Sequence, residues 1–387
     1  MDFKPIFTIA LLFIIIIVFI FFNQKIKPLR SELTSKDNFK KEIQGILCTN
    51  MNRQKIPGMQ LSIKKDDNYY RFSLGHIDKK RSQKISQNHI MRIGSVSKIY
   101  TAILILKDCE NGLLKLEDPL AKWVPEIPYA NLITIKNLLN HTSGVFDYTA
   151  NFSLQMQIIL KIHKQWTPQE LVSYILKGKP NFKPGEKYHY SNSNYLLLGI
   201  ILEKLHHKRF LELFNENYRS HLGLVNTYFL PNKNSIPTNL ISGYDFDMIP
   251  GGRVLPPTDI AWPSLAFTSG AVATSADDLL KFTEQLFSEQ IISKATINKM
   301  EDFLACSDLH IRTQDGYGLG LRRLNIDGDI LMGHTGTILG FGAATFFCPK
   351  KGYFISFIAN KSKIDQIELL KNIVETIRRD RPIRSGI

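Results

Sequence analysis

Cysteine is scarce in this chain, and the four that occur are poorly placed for chemistry. Cys48, Cys109, Cys306 and Cys348 stand far apart with no C-x-x-C pair, so neither a zinc ribbon nor a disulfide framework is implied. Other recurring signatures are missing too. There is no H-E-x-x-H helix and no G-x-S-x-G elbow, which excludes the usual zinc-peptidase and α/β-hydrolase arrangements. Gly316, Gly318 and Gly320 stand close together but complete neither a dinucleotide fingerprint nor a phosphate loop. Internal repeats and low-complexity tracts are absent. No metal and no cofactor are expected.

What is present describes a globular body: 387 residues, 44% hydrophobic and 22% charged, enough to bury a sizeable core. The formal charge of +14 suits a body near an anionic surface or polymer. The lysines are scattered and no Arg/aromatic recognition module accompanies them, so no nucleic acid is expected as a partner. Only residues 381–387, with the preceding Arg378-Arg379, form a basic tail, which reads as a solvated end.

The run from Ile6 to Phe22 is apolar almost throughout and long enough to span a bilayer. No small-x-small cleavage site follows, so residues 1–24 read as an uncleaved N-terminal transmembrane helix and 25–36 as a linker. Lys25, Lys27 and Arg30 after the span favour a cytoplasmic body by the positive-inside tendency, although long domains translocate regardless of flanking charge.

Hydrophobic periodicity then organises residues 37–380. A helix is predicted from Asp37 to Asn52, with Phe39, Ile43, Ile46 and Leu47 on one face. Met59, Leu61 and Ile63 alternate, Asp66-Asp67-Asn68 turns, and Tyr70, Phe72 and Leu74 alternate back as a hairpin. From about 125 to 257 the character is helical, including a capping box at Thr167-Pro168-Gln169-Glu170 and helices from Ser193 and Phe210. Strand character returns near Thr268–Thr274, and Ser275 caps a helix to Phe287. Short strands are predicted at Tyr317–Leu321, Ile330–Thr337, Ala343–Cys348 and Tyr353–Ala359, with a last amphipathic helix from Asp365 to Ile377. The economical assembly is an α/β (α+β) fold: one antiparallel sheet from both ends of the chain, flanked by helices, with a separate all-helical lobe beside it.

The chemistry gathers on three stretches. Ser95-Val96-Ser97-Lys98 opens an apolar helix and puts a serine and a lysine on one face, i to i+3. A lysine there, poorly hydrated, has a lowered pKa and can act as a base. Ser62-Ile63-Lys64-Lys65 matches the same pattern but reads as a strand entering a turn. Tyr190-Ser191-Asn192 precedes the Ser193 helix, and His334-Thr335-Gly336 ends a strand. Tyr129-Ala130-Asn131 fits Y-x-N by chance. His141 reads as a loop-holder, and His206-His207 as residues favoured by a helix C-terminus.

In the order S-x-x-K, Y-x-N, H-T-G, this set resembles the serine β-lactamase and penicillin-binding family, in the branch of class C β-lactamases, D-alanyl-D-alanine peptidases and related esterases. The resemblance runs from about Lys41 to Ile377 and includes Asn140-His141-Thr142-Ser143-Gly144, Ser269-Gly270-Ala271-Val272 and Gly340-Phe341-Gly342. It implies that Ser95 is the nucleophile, that Lys98 and Tyr190 share the acid/base work, and that Asn192 binds the substrate amide. It also implies that the N–H groups of Ser95 and Thr337 form an oxyanion hole, with Thr335 and Gly336 along the substrate. His334 stands where many relatives carry lysine. As a substrate contact with an ordinary pKa near ~6.5 it would weaken carboxylate binding between pH 5.5 and 7.5. The expected activity is serine hydrolysis of a D-alanyl peptide, β-lactam or ester. A carboxylesterase is the alternative, and a silent membrane-tethered scaffold is the alternative from another class. The expected location is the cell membrane, single-pass, with the catalytic domain periplasmic or extracellular.

Overall fold

The computed structural model describes residues 36–380, apart from 79, 162, 233–235, 246–252, 256–260 and 309–310. Helix α1 covers 36–54 and buries Phe39, Ile43 and Leu47 at four-residue spacing. Strands β1 (Gly58–Lys65) and β2 (Asn68–Gly75) form the expected hairpin, with Met59 opposite Leu74 and Ile63 opposite Tyr70. After β3 (Met91–Arg92) a tight turn over Gly94–Val96 feeds helix α2 (Ser97–Glu110). Ser62 and Lys65, the rival S-x-x-K match, lie in β1.

The middle of the chain supplies α3 (Ile135–Leu139), α4 (Phe152–Leu160), α5 (Pro168–Leu176), α6 (Asn192–His206) and α7 (Phe210–Phe214). Thr167 accepts from Glu170 N, and the Glu170 side chain reaches back to Thr167, closing the predicted capping box. The stretch 125–257 is not purely helical. It also carries β4 (Tyr228–Phe229), β5 (Gly243–Asp245) and β6 (Arg253–Leu255). Then follow α8 (Ala261–Ala266), β7 (Val272–Thr274), α9 (Ala276–Phe287) and α10 (Lys294–Met300). The end of the chain gives β8 (Leu304–Ala305), β9 (Gln314–Tyr317), β10 (Arg322–Ile326), β11 (Asp329–Ile338), β12 (Phe341–Cys348), β13 (Tyr353–Ala359) and α11 (Gln366–Arg379).

Eight of these strands make one antiparallel sheet in the order β2-β1-β13-β12-β11-β10-β9-β8. The two chain ends meet where β1 pairs with β13, Met59 opposite Ala359. Strand alternation divides the apolar residues between two cores. Phe346, Ile355 and Phe357 pack with α1 and α11 through residues such as Ile43, Leu370 and Ile373. Ala343 and Ile358 face the other way and join α2, α9 and the helices of the middle segment. Residues of those helices therefore belong to the same apolar cluster as this face of the sheet.

Two further expectations need correction. The predicted strand Tyr317–Leu321 ends at Tyr317, because Gly318 N–H bonds Leu321 O at 2.8 Å and Gly320 takes a φ of +88°. Residues 318–321 are the turn, and the next strand begins at Arg322. The single-pass membrane placement is overturned: no helix among the described residues is long and apolar enough to cross a membrane. The Ile6–Phe22 run and the basic tail 381–387 lie outside the described residues.

Phe357 is fully buried in β13 between the two ends of the chain. Phe357→Ala is expected to cost about 3–5 kcal/mol, seen as a lower urea midpoint with little change in slope.

Candidate active site

Two glycines bring the serine and the strand together. Gly94 has a φ of +49°, and a Cβ on it would meet Thr337 C and O at 2.7 Å. A Cβ on Gly336 would lie 2.0 Å from Ile93 O and 3.0 Å from Ser95 N and Val96 N. Strand β11 thus runs against the turn carrying Ser95, backbone to backbone, which only glycine permits on both sides. Ser95 sits in that turn, two residues before the first residue of α2.

Lys98 is fully buried. Its Nζ lies 3.1 Å from Ser95 Oγ, 2.9 Å from Asn192 Oδ1 and 3.0 Å from Ser269 O. Asn192 is oriented by Asp147, whose Oδ2 accepts from both Asn192 N and Asn192 Nδ2 at 3.2 Å. With the amide fixed in that sense, Asn192 Oδ1 and Ser269 O are acceptors only, and each takes one N–H from Lys98. The third contact, to Ser95 Oγ, works in either direction: a protonated lysine donates to the serine, a neutral one receives its proton. Burial drives the Lys98 pKa down. Tyr190 and Asp147 pull it back up in part, and Arg322 adds to the lowering.

The Tyr190 ring lies 4.9 Å from Lys98 Nζ and 4.9 Å from the Arg322 guanidinium carbon. Its hydroxyl is buried without a hydrogen-bond partner, an exposed demand for a proton donor or acceptor that a ligand can meet. Ser95 stands where two cavities meet. One, of about 510 Å³, is lined by Tyr190, Arg322, Thr335, Gly336 and Thr337. The other, of about 290 Å³, is lined by Tyr148, Asn192, Leu265, Ala266 and Ile338.

Seven of the eight residues singled out from the sequence thus converge on this cleft: Ser95, Lys98, Tyr190, Asn192, Thr335, Gly336 and Thr337. His334 does not line either cavity. It is fully buried, its Nε2 3.0 Å from Tyr317 OH and its Nδ1 against Thr335 O. Burial first, then Arg322 and Lys98, hold its pKa well below the usual value. Both ring nitrogens are thus engaged inside the protein, away from the cleft where the sequence places a carboxylate contact. Arg322 is the cation that lines the larger cavity. It is paired with Asp308 at 2.9 Å, and its Nε is buried without a partner. Sequence reasoning missed Arg322 because the segment before it looked like strand, and missed Asp147, whose only signal was an Asp-x-Thr turn. Among the described residues no group of three or more His, Cys, Asp or Glu could hold a metal.

An antiparallel sheet between helical layers, with a buried lysine beside a serine at a helix start, defines the β-lactamase/transpeptidase-like class of fold. The β-lactamase family model matches residues 43–376, and the chain belongs to that family of serine hydrolases. It is 28% identical to penicillin-binding protein 4* of Bacillus subtilis over 67% of this chain and 59% of that protein. It is 25% identical to a β-lactamase of Pseudomonas fluorescens over 81% of this chain and 90% of that one. The chain thus spans about three fifths of the first relative's length and most of the second's. The D-amino acid amidase of Ochrobactrum anthropi SV3, solved with L-phenylalanine amide, shares the fold with a TM-score of 0.80. That likeness covers 89% of this chain and 100% of that one at 24% identity.

Two outcomes follow. Gly336→Ala should push β11 off the Ser95 turn and reduce any Ser95-dependent activity by at least ~10²-fold, the loss of one oxyanion donor; active-site labelling measures it. The second concerns His141 and His334, whose pKa values burial lowers well below 6.5. The unfolded chain takes up those protons first, so the stability held by the neutral pair is complete above pH 6.5 and declines as pH falls below it. Melting temperatures from pH 5 to 8 should drop on the acid side, and less so in His334→Gln.

Proposed function

We propose that this protein hydrolyses an amide or ester through an acyl-enzyme on Ser95, with D-alanyl peptides and β-lactams as the leading substrate class. The observation that carries the reading is the contact of 3.1 Å between Lys98 Nζ and Ser95 Oγ. A base of lowered pKa at that distance can take the hydroxyl proton as Oγ bonds the carbonyl carbon. The unpartnered Tyr190 hydroxyl relays the proton to the leaving nitrogen or oxygen as its bond to carbon breaks. A water then reverses the sequence and frees the acid. The N–H groups of Ser95 and Thr337 take the oxyanion, and Asn192 Nδ2 meets the substrate amide. Arg322 with Thr335 and Thr337 receives a leaving-side carboxylate, the role expected of His334.

This set supports the D-alanyl peptidase and class C β-lactamase branch. A second reading, carboxylesterase, is favoured by the apolar cavity of Leu265, Ala266 and Ile338, which suits an apolar acyl group. Nitrocefin, a D-alanyl-D-alanine peptide and p-nitrophenyl butyrate compared side by side separate the two.

Incubation with fluorescent penicillin and with a fluorophosphonate, followed by intact mass, tests the common core. The full-length chain should gain one adduct, Ser95→Ala none, and Lys98→Ala should label about 10²–10⁴-fold more slowly. No adduct from either probe, under conditions that label a known relative, sinks the hydrolase reading.

A further inference from the structure

Three fully buried side chains, His141, Tyr317 and His334, form a bridge beneath Tyr190. At one end, Ser191 N–H points at His141 Nδ1 at 3.2 Å, and Asn194 Nδ2 approaches the same atom at 2.9 Å. Asn194 is held in that sense because its oxygen accepts from Ser143 Oγ at 2.6 Å. Both neighbours of Nδ1 are donors, so Nδ1 carries no proton. The proton is then on Nε2, which donates to the Tyr317 oxygen at 3.2 Å. Tyr317 in turn donates to His334 Nε2 at 3.0 Å, and His334 Nδ1–H donates to the carbonyl of Thr335. A main-chain donor at one end and a main-chain acceptor at the other leave this single arrangement of protons.

The bridge also holds Tyr190 from both sides along the chain. His189 N–H bonds His141 O at 3.0 Å, and Ser191 N–H bonds His141 Nδ1, so the residues flanking Tyr190 hang on one histidine. The His141 and Tyr190 rings lie 4.3 Å apart. His141 adopts a φ of +60°, a conformation histidine tolerates better than most residues.

We infer that His141 and Tyr317 are positioning residues for Tyr190, and that His334 is the receiving end of their bridge and makes no contact with substrate. This rests on the acid/base role proposed for Tyr190. The groups facing the bridge are Lys98, Arg322 and His189, with the rings of Tyr188, Tyr190 and Tyr195. The closed chain of hydrogen bonds needs an acceptor at 334, which histidine Nε2 supplies and a protonated lysine, bringing donors only, does not.

Position 334 gives the sharpest test, because the two roles order its variants oppositely. Acylation by fluorescent penicillin is followed from pH 5.5 to 8.5 for wild type, Tyr317→Phe, His334→Gln and His334→Lys, each checked for folding by near-ultraviolet circular dichroism. Gln offers an oxygen to Tyr317 and should stay within about threefold of wild type. Lys offers none and should slow acylation roughly tenfold or more, as should Tyr317→Phe, the effect of one buried hydrogen bond left unmade. The loss should fall on the acylation step and not on probe binding. A substrate-contacting His334 gives the reverse order, Lys at least equal to wild type and Gln impaired, and overturns the inference. Histidine-side-chain nitrogen NMR gives a readout free of activity. His141 should be neutral with its proton on Nε2, and His334 neutral with its proton on Nδ1, from pH 5.5 to 8.5. A charged or opposite tautomer overturns the bridge, whereas failure of wild type to label with both penicillin and a fluorophosphonate, with the tautomers as expected, removes only the hydrolase reading.

Discussion

Withdrawing an amine from water is tolerated only when every N–H finds an acceptor, and Lys98 meets that demand with three atoms from three parts of the chain. Ser95 comes from its own turn, Asn192 from the start of α6, and Ser269 from the loop before β7. The requirement fixes the relation between α2, α6 and that loop more tightly than apolar packing does, since packing tolerates small slides and a hydrogen bond of 3 Å does not. The same arrangement strips the lysine of its hydration, which lowers its affinity for a proton and favours the neutral amine, whose lone pair can take the serine's proton. Folding and reactivity are here one constraint read at two levels.

The sheet contributes by approaching from the other side. Gly94 and Gly336 let β11 lie against the Ser95 turn, and the strand delivers Thr335 and Thr337 to the cleft while turning His334 into the interior. Alternation along β11 therefore puts His334 on the interior face and its neighbour Thr335 on the cleft face. The Lys98 amine and the Arg322 guanidinium, which border the Tyr190 ring at 4.9 Å each, arrive from different layers, one from a helix and the other from a strand.

Much of this was legible in the residues. The period-2 pattern of Met59, Leu61 and Ile63, the capping box at Thr167, and the amphipathic helix from Asp365 to Ile377 are local signals that tertiary structure confirms. Ser95, Lys98, Tyr190 and Asn192 were findable because each sits in a short segment whose spacing carries chemistry. Arg322, Asp147 and the inward fate of His334 were not. Nothing in one sequence separates an arginine that enters a cleft from one that leaves it, and the direction of a strand residue depends on where the strand starts. Reading residues 317–321 as strand, when 318–321 is the turn, moved that start and hid Arg322.

The pairing of β1 with β13, Met59 against Ala359, has a consequence for how the molecule comes into being. During synthesis the hairpin emerges early and must wait, its inner edge open, until nearly the whole chain has been made. The strand that completes the cleft, β11, also belongs to that late portion. Nascent chains consequently carry the serine and lysine without the site, and the polypeptide passes most of its time on the ribosome as an inert precursor with a bare sheet edge that needs protection from its neighbours.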